Sequence, residues 1–137
     1  MDLTKQFPRS PRHKAAGVAM LPRTIDKARA KLAGSLGEYI YDCPMDRQLF
    51  ATLGVTAEDF LAAVRRSKGD DEVVAWARTA RQLSDQAIAE HEQIINGWSP
   101  KSDEGRKHFE RDRARLAPDR PDISTWTELI DIEEGRI

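Results

Sequence analysis

Cys43 is the one residue of this chain whose type and setting suit a nucleophile. It stands in GEYIYDCPMD just ahead of Pro44, a residue favoured in the first turn of a helix, so its sulfur is expected at a helix N-terminus. A helix N-terminus and nearby cations stabilise a thiolate. Asp42 and Asp46 act in the opposite direction, and no histidine lies close in sequence to serve as base; only folding could bring His13 or His91 near. Tyr39 and Tyr41 would project to the same side of an extended segment and, with Asp42 and Asp46, would shape a Cys43-centred site. The competing reading is a structural cysteine that fills a small gap where the chain enters the helix, and the residues favour it.

A second constellation is cationic. Arg23, Lys27 and Lys31 recur every four residues, and like charges at that spacing destabilise an isolated helix by about 0.2–0.5 kcal/mol per pair. Something must offset the repulsion. The net charge of −1 hides an asymmetry: residues 1–31 carry eight basic and two acidic side chains, against fourteen and twenty-one beyond. Asp26 and the acidic remainder of the chain are one source of compensation. The other is an external phosphate, carboxylate or nucleic-acid backbone, with Arg9 and Arg12 as clamps if the N-terminal arm folds over this helix. Both remain open at this level, because net charge alone names no target.

Other chemistries lack their signatures. There is no phosphate-binding Gly-rich loop, no dinucleotide fingerprint and no nucleophile elbow. HEQII at His91 begins like a zinc-binding H-E-x-x-H but offers Ile95 where the second ligand must stand. His91 shares a helical face with Ile88 and Ile95, which suits a hydrogen-bonded core histidine. Glu104 and His108 do not complete a metal site by themselves. No metal or cofactor is therefore expected. LFATLGVTAEDFLAAV has apolar spacing compatible with a helix-turn-helix, but Glu58 and Asp59 would meet DNA phosphates, so sequence-specific DNA binding is disfavoured.

The elements that must position these residues are helical. Pro8 and Pro11 keep the start extended. A first helix is predicted from Pro22 to Leu36, with Ile25, Ala28, Leu32 and Leu36 inward. EYIYDC reads as a connector or one short strand. A helix from Pro44 places Met45, Leu49, Phe50 and Leu53 inward and stops at Gly54. Thr56 with Asp59, and Thr125 with Glu128, are spaced as capping boxes. Asp70–Glu72 suit the positive end of another helix dipole, Ser84 caps the next, and Ser99-Pro100 starts a charged surface helix showing Phe109 and Leu116 inward. The prediction is an all-α, irregular bundle of six or seven short helices. Residues 1–137 read as one domain, with 1–21 an arm packed on the helical body 22–137.

The chain lacks the roughly 20 consecutive apolar residues that a bilayer span requires, and its single cysteine fits a reducing, cytoplasmic setting. DLTKQFPRSPR, LPRTIDKARAKLAG, GEYIYDCPMD and the closing WTELIDIEE together resemble a bacterial family of domains of unknown function. That resemblance implies that the arm and first helix belong to one domain; it carries no activity with it. Three functional readings follow. The first is a non-catalytic binding domain for an anionic small molecule or acidic partner, using Arg9, Arg12, Arg23, Lys27, Lys31, Tyr39, Tyr41 and Asp46. The second is a small enzyme centred on Cys43. The third is a structural or oligomerisation domain. The residues favour a non-enzyme.

Overall fold

The structure is a computed structural model, and it describes residues 1–80 and 83–136. Among these, a two-stranded hairpin precedes seven helices: β1 (Lys14–Ala15), β2 (Val18–Ala19), α1 (Leu21–Leu32), α2 (Pro44–Leu53), α3 (Ala57–Arg66), α4 (Asp70–Ala80), α5 (Asp85–Asn96), α6 (Asp103–Leu116) and α7 (Trp126–Glu133). The fold is mostly α, as the periodicity predicts.

The hairpin is the departure. Its strands pair antiparallel, Lys14 opposite Ala19 and Ala15 opposite Val18. The two residues between them, Ala16 and Gly17, both have positive φ (50° and 81°), the backbone twist that a two-residue hairpin loop prefers. An Ala-Gly pair is a weak turn signal, so the sequence of the arm does not announce the hairpin. The short strand considered for EYIYDC does not form. Gly37 at φ 61° and Asp42 at φ 70° turn the chain at both ends of that segment instead.

α1 ends four residues before Leu36, because Gly34 takes a left-handed conformation (φ 69°) and closes the helix. The Gly34 amide donates to the Lys31 carbonyl at 3.1 Å and the Ser35 amide to that of Ala30 at 2.8 Å, satisfying carbonyls the helix end would otherwise leave unpaired. α2 has the predicted bounds and inward face. Thr56 and Thr125 form their capping boxes with Asp59 and Glu128, and the Ser84 side chain accepts from the Ala87 amide. α6 starts later than Ser99-Pro100 suggests, since Ser102 accepts from the Gly105 amide and becomes the cap.

α1 runs through the middle of the molecule. Every residue from Leu21 to Ala28 is buried, packed by the hairpin, α3 and α4. The main core gathers Leu21, Ile25 and Ala28 of α1 with Leu49, Phe50 and Leu53 of α2, Phe60 of α3, Val73 of α4 and Ile88 and Ile95 of α5. Burying each large aliphatic or aromatic side chain contributes about 1.5–3 kcal/mol, and this apolar stripe is what holds the polar face of α1 out of water. A smaller cluster of Phe109, Ile123 and Leu129 joins α6 to α7. α7 is docked through Thr127, whose hydroxyl donates to the Ile95 carbonyl at 2.5 Å.

Candidate functional site

The central position of α1 makes its polar residues unusual. Arg23, Thr24, Asp26 and Lys27 are at most 5% exposed. A charge at that depth costs several kcal/mol unless it is paired and hydrogen-bonded. Arg23 pairs with Glu134 near the C-terminus, Asp26 with Arg9 of the arm, and Thr24 and Lys27 with Asp46 of α2, so α1 joins these three parts through one polar face.

Arg23 forks onto Glu134, the residue capping the C-terminus of α7. Its two terminal nitrogens donate to Oε1 and Oε2 at 2.9 Å each, and one also donates to the Arg9 carbonyl at 3.1 Å. The Tyr39 hydroxyl donates to Glu134 Oε2 at 2.9 Å, and Arg136 donates to Glu134 and to the Pro8 carbonyl. The Arg23 guanidinium lies over the Tyr39 ring, 5.6 Å from its centre. Burial works against ionisation of Glu134, but the Arg23, Arg136 and Tyr39 donors outweigh it and hold its pKa below the ordinary carboxylate value. The same burial, together with Glu134, pushes the Tyr39 phenol far upward, so it remains a proton donor.

The arm is fastened on both sides of this group. Arg9 donates from its backbone amide, Nε and a terminal nitrogen to Asp26 at 2.9–3.0 Å, and its other terminal nitrogen meets Asp70, which also pairs with Arg29 at 2.6 Å. Arg12 pairs with Asp131 at 2.9 Å. Lys31 is exposed and makes no ion pair among the described residues. The row Arg23, Lys27 and Lys31 thus divides: two cations turn to separate carboxylates inside and the third faces solvent, which relieves their mutual repulsion.

Lys27 meets the Cys43 segment. Its ammonium donates to Asp46 Oδ2 at 2.7 Å and lies 3.3 Å from Cys43 Sγ. Asp46, fully buried, also accepts from the Thr24 hydroxyl (2.9 Å) and from the backbone amides of Asp42 and Cys43 at 3.0 and 3.2 Å. No histidine bonds to Cys43 among the described residues. The His91 ring nitrogens contact the Ala19 carbonyl (2.7 Å) and the Thr52 hydroxyl (3.3 Å), so His91 is the hydrogen-bonded core residue its helical face implied. Tyr39 and Tyr41 diverge, because the segment is bent rather than extended; the Tyr41 hydroxyl donates to the Ala57 carbonyl at 2.7 Å. Of the predicted residues, the structure therefore unites Arg9, Arg23 and Tyr39 in one place and Lys27, Cys43 and Asp46 in another.

An open groove of about 910 Å³ lies over the first of these places, between the arm and α7. Arg23, Tyr39 and Glu134 line it, with Leu3, Lys5 and Phe7 on the arm side, Ile130 and Glu133 on α7, and Glu38 beside Tyr39. Phe7 is 55% exposed. Gly37 lets the arm approach: a Cβ there would stand 3.2–3.3 Å from Thr4 and the Leu3 carbonyl, on a backbone already at positive φ. Sequence reasoning missed Asp131, Glu134 and Arg136. The available signal was the i, i+3 spacing of Asp131 and Glu134 beside the apolar Leu129 and Ile130, which puts two acids at the edge of a buried face.

A mostly α-helical protein with a charged central helix and one large groove at the junction of its two ends is the class these features define. The chain matches over residues 5–136 the family described as Domain of unknown function (DUF5069), and it belongs to that family. No curated protein matches it. No helix among the described residues is long and apolar enough to cross a membrane, and none of their histidine, cysteine and carboxylate side chains form a group able to hold a metal ion.

Proposed function

We propose that this chain is a non-catalytic binding domain that takes a small organic ligand in the groove between the arm and α7. The observation that carries this reading is that the groove stays open above a floor whose charges are already satisfied. Arg23, Tyr39 and Glu134 are fixed by one another, so a ligand meets a preorganised surface and little side-chain order has to be created on binding. A concave site with apolar walls and a few fixed polar groups is the usual form of a small-molecule site.

The internal pairing of Arg9, Arg12, Arg23 and Lys27 weighs against an anion held between the arm and α1, since such a ligand would have to displace Asp26, Asp131, Glu134 or Asp46. The absence of a histidine bonded to Cys43 among the described residues weighs against the enzyme reading. The single cysteine continues to support a reducing, cytoplasmic setting.

Nile red, a neutral apolar dye, tests the groove through its fluorescence on binding to the folded protein. Wild type is expected to bind it, and Phe7→Ala to bind it at least about fivefold more weakly through lost apolar contact while melting at the same temperature, because Phe7 is largely exposed. Equal binding by the two proteins would remove the groove as the site.

A further inference from the structure

We infer that Lys27 and Cys43 form a peroxide-sensitive cross-link, in which the oxidised sulfur of Cys43 is captured by the Lys27 amine as a sulfenamide. This inference stands apart from the groove and its ligand. Three observations meet at the pair. Cys43 is partly exposed, so a small oxidant can reach its sulfur. Lys27 is buried on α1, and its Nζ is held 3.3 Å from Cys43 Sγ, within the roughly 3–3.5 Å of a near-attack arrangement. Asp46 Oδ2 stands 2.7 Å from the same Nζ, placed to take its proton.

The sequence closes two other routes for a sulfenic acid. Cys43 is the only cysteine, so the chain holds no resolving thiol. The next backbone nitrogen belongs to Pro44 and carries no hydrogen, so ring closure onto it is blocked. Hydrogen peroxide oxidises the Cys43 thiol to a sulfenic acid and is itself reduced to water. Lys27 passes one proton to Asp46, and its nitrogen lone pair attacks the sulfur. The S–N bond forms as the S–O bond breaks, and the departing hydroxide takes a second proton from the nitrogen and leaves as water. A buried ion pair is thereby replaced by a neutral sulfenamide beside a neutral carboxyl, two groups that a low-dielectric interior accepts more readily than charges. Thiols reverse the link: one opens the S–N bond to a mixed disulfide and a free amine, and a second releases the Cys43 thiol. While it lasts, the bond ties α1 to the entrance of α2.

Native mass spectrometry at neutral pH, before and after a small excess of hydrogen peroxide is added to the full reduced chain, reads the reaction directly. Wild type is expected to lose about 2 Da, two hydrogens, as its main product, and dithiothreitol to restore the original mass. Non-reducing peptide mapping should join the peptides that carry Lys27 and Cys43. Lys27→Arg keeps a cation beside Asp46 but offers no nucleophilic amine at neutral pH. It should gain oxygen on Cys43 instead, with at least about threefold more sulfinic acid than wild type. Circular dichroism checks that this variant folds, and the wild-type map decides the matter if it does not. In wild type, oxygen addition at Cys43 without the mass loss, a disulfide-linked dimer as main product, a link at another nitrogen, or no reaction with peroxide overturns the inference. Equal sulfinic acid in wild type and folded Lys27→Arg also overturns it.

Discussion

Replacing Arg23 with methionine keeps most of the side-chain volume and strips Glu134 of both prongs of its principal partner. Glu134 stays 7% exposed, with only Arg136 and Tyr39 as donors. Breaking a buried ion pair from one side costs about 3–5 kcal/mol, and the two surviving donors place this case near the lower end, about 3 kcal/mol. For a chain of this length that corresponds to a fall in melting temperature of about 10 °C. Urea unfolding followed by tryptophan fluorescence reads it as a midpoint shift of about 1–2 M, with Trp76, Trp98 and Trp126 as reporters. Glu134→Leu should cost a similar amount, since it leaves Arg23 buried with the Arg9 carbonyl as its remaining acceptor. The double variant should be more stable than either single one, because neither charge is then left alone. The pH dependence carries the same signature. The depressed pKa of Glu134 gives stability that is present above its ordinary value of 4.5 and lost as pH falls toward the folded value, and Arg23→Met should flatten that loss. A cost below about 1 kcal/mol for Arg23→Met, or single costs that simply add in the double variant, would refute the claim that this pair governs the junction.

Two further outcomes follow from the other buried groups. Asp46→Ala leaves the Lys27 ammonium without its carboxylate and the amides of Asp42 and Cys43 without an acceptor, so it should destabilise by about 3–5 kcal/mol, whereas adding Lys27→Met to it should recover part of that loss in the same urea assay. Burial lowers the pKa of His91 from 6.5, so the unfolded chain takes up its proton first as pH falls; stability should decline from about pH 6.5 downward, and His91→Gln should remove that part of the decline in melting curves recorded between about pH 8 and pH 5.

The local grammar of the chain was readable without its structure. Pro44, the helical spacing of Met45, Leu49, Phe50 and Leu53, and Gly54 set α2; Thr56 with Asp59 and Thr125 with Glu128 set two helix starts; these signals act within a few residues, where capping and backbone sterics are decided. The Arg23, Lys27 and Lys31 row was equally visible, and so was its need for compensation. Which carboxylates supply it was not. Arg23 and Glu134 are separated by 111 positions and Arg12 and Asp131 by 119, and no local rule selects one acid among twenty-three. The hairpin escaped because Ala16 adopts a positive φ that its own preference opposes and that the surrounding packing imposes.

The sequence by itself determined a mostly helical chain with an arm, a row of cations in need of partners and a cysteine at a helix entrance. Only the tertiary structure decided that the first helix is central, that two of its cations, Arg23 and Lys27, face inward, and that an open groove lies between the arm and α7. The physical reason is burial: whether an arginine is a surface clamp or half of a buried pair depends on what covers it, and that cover comes from segments far away in sequence.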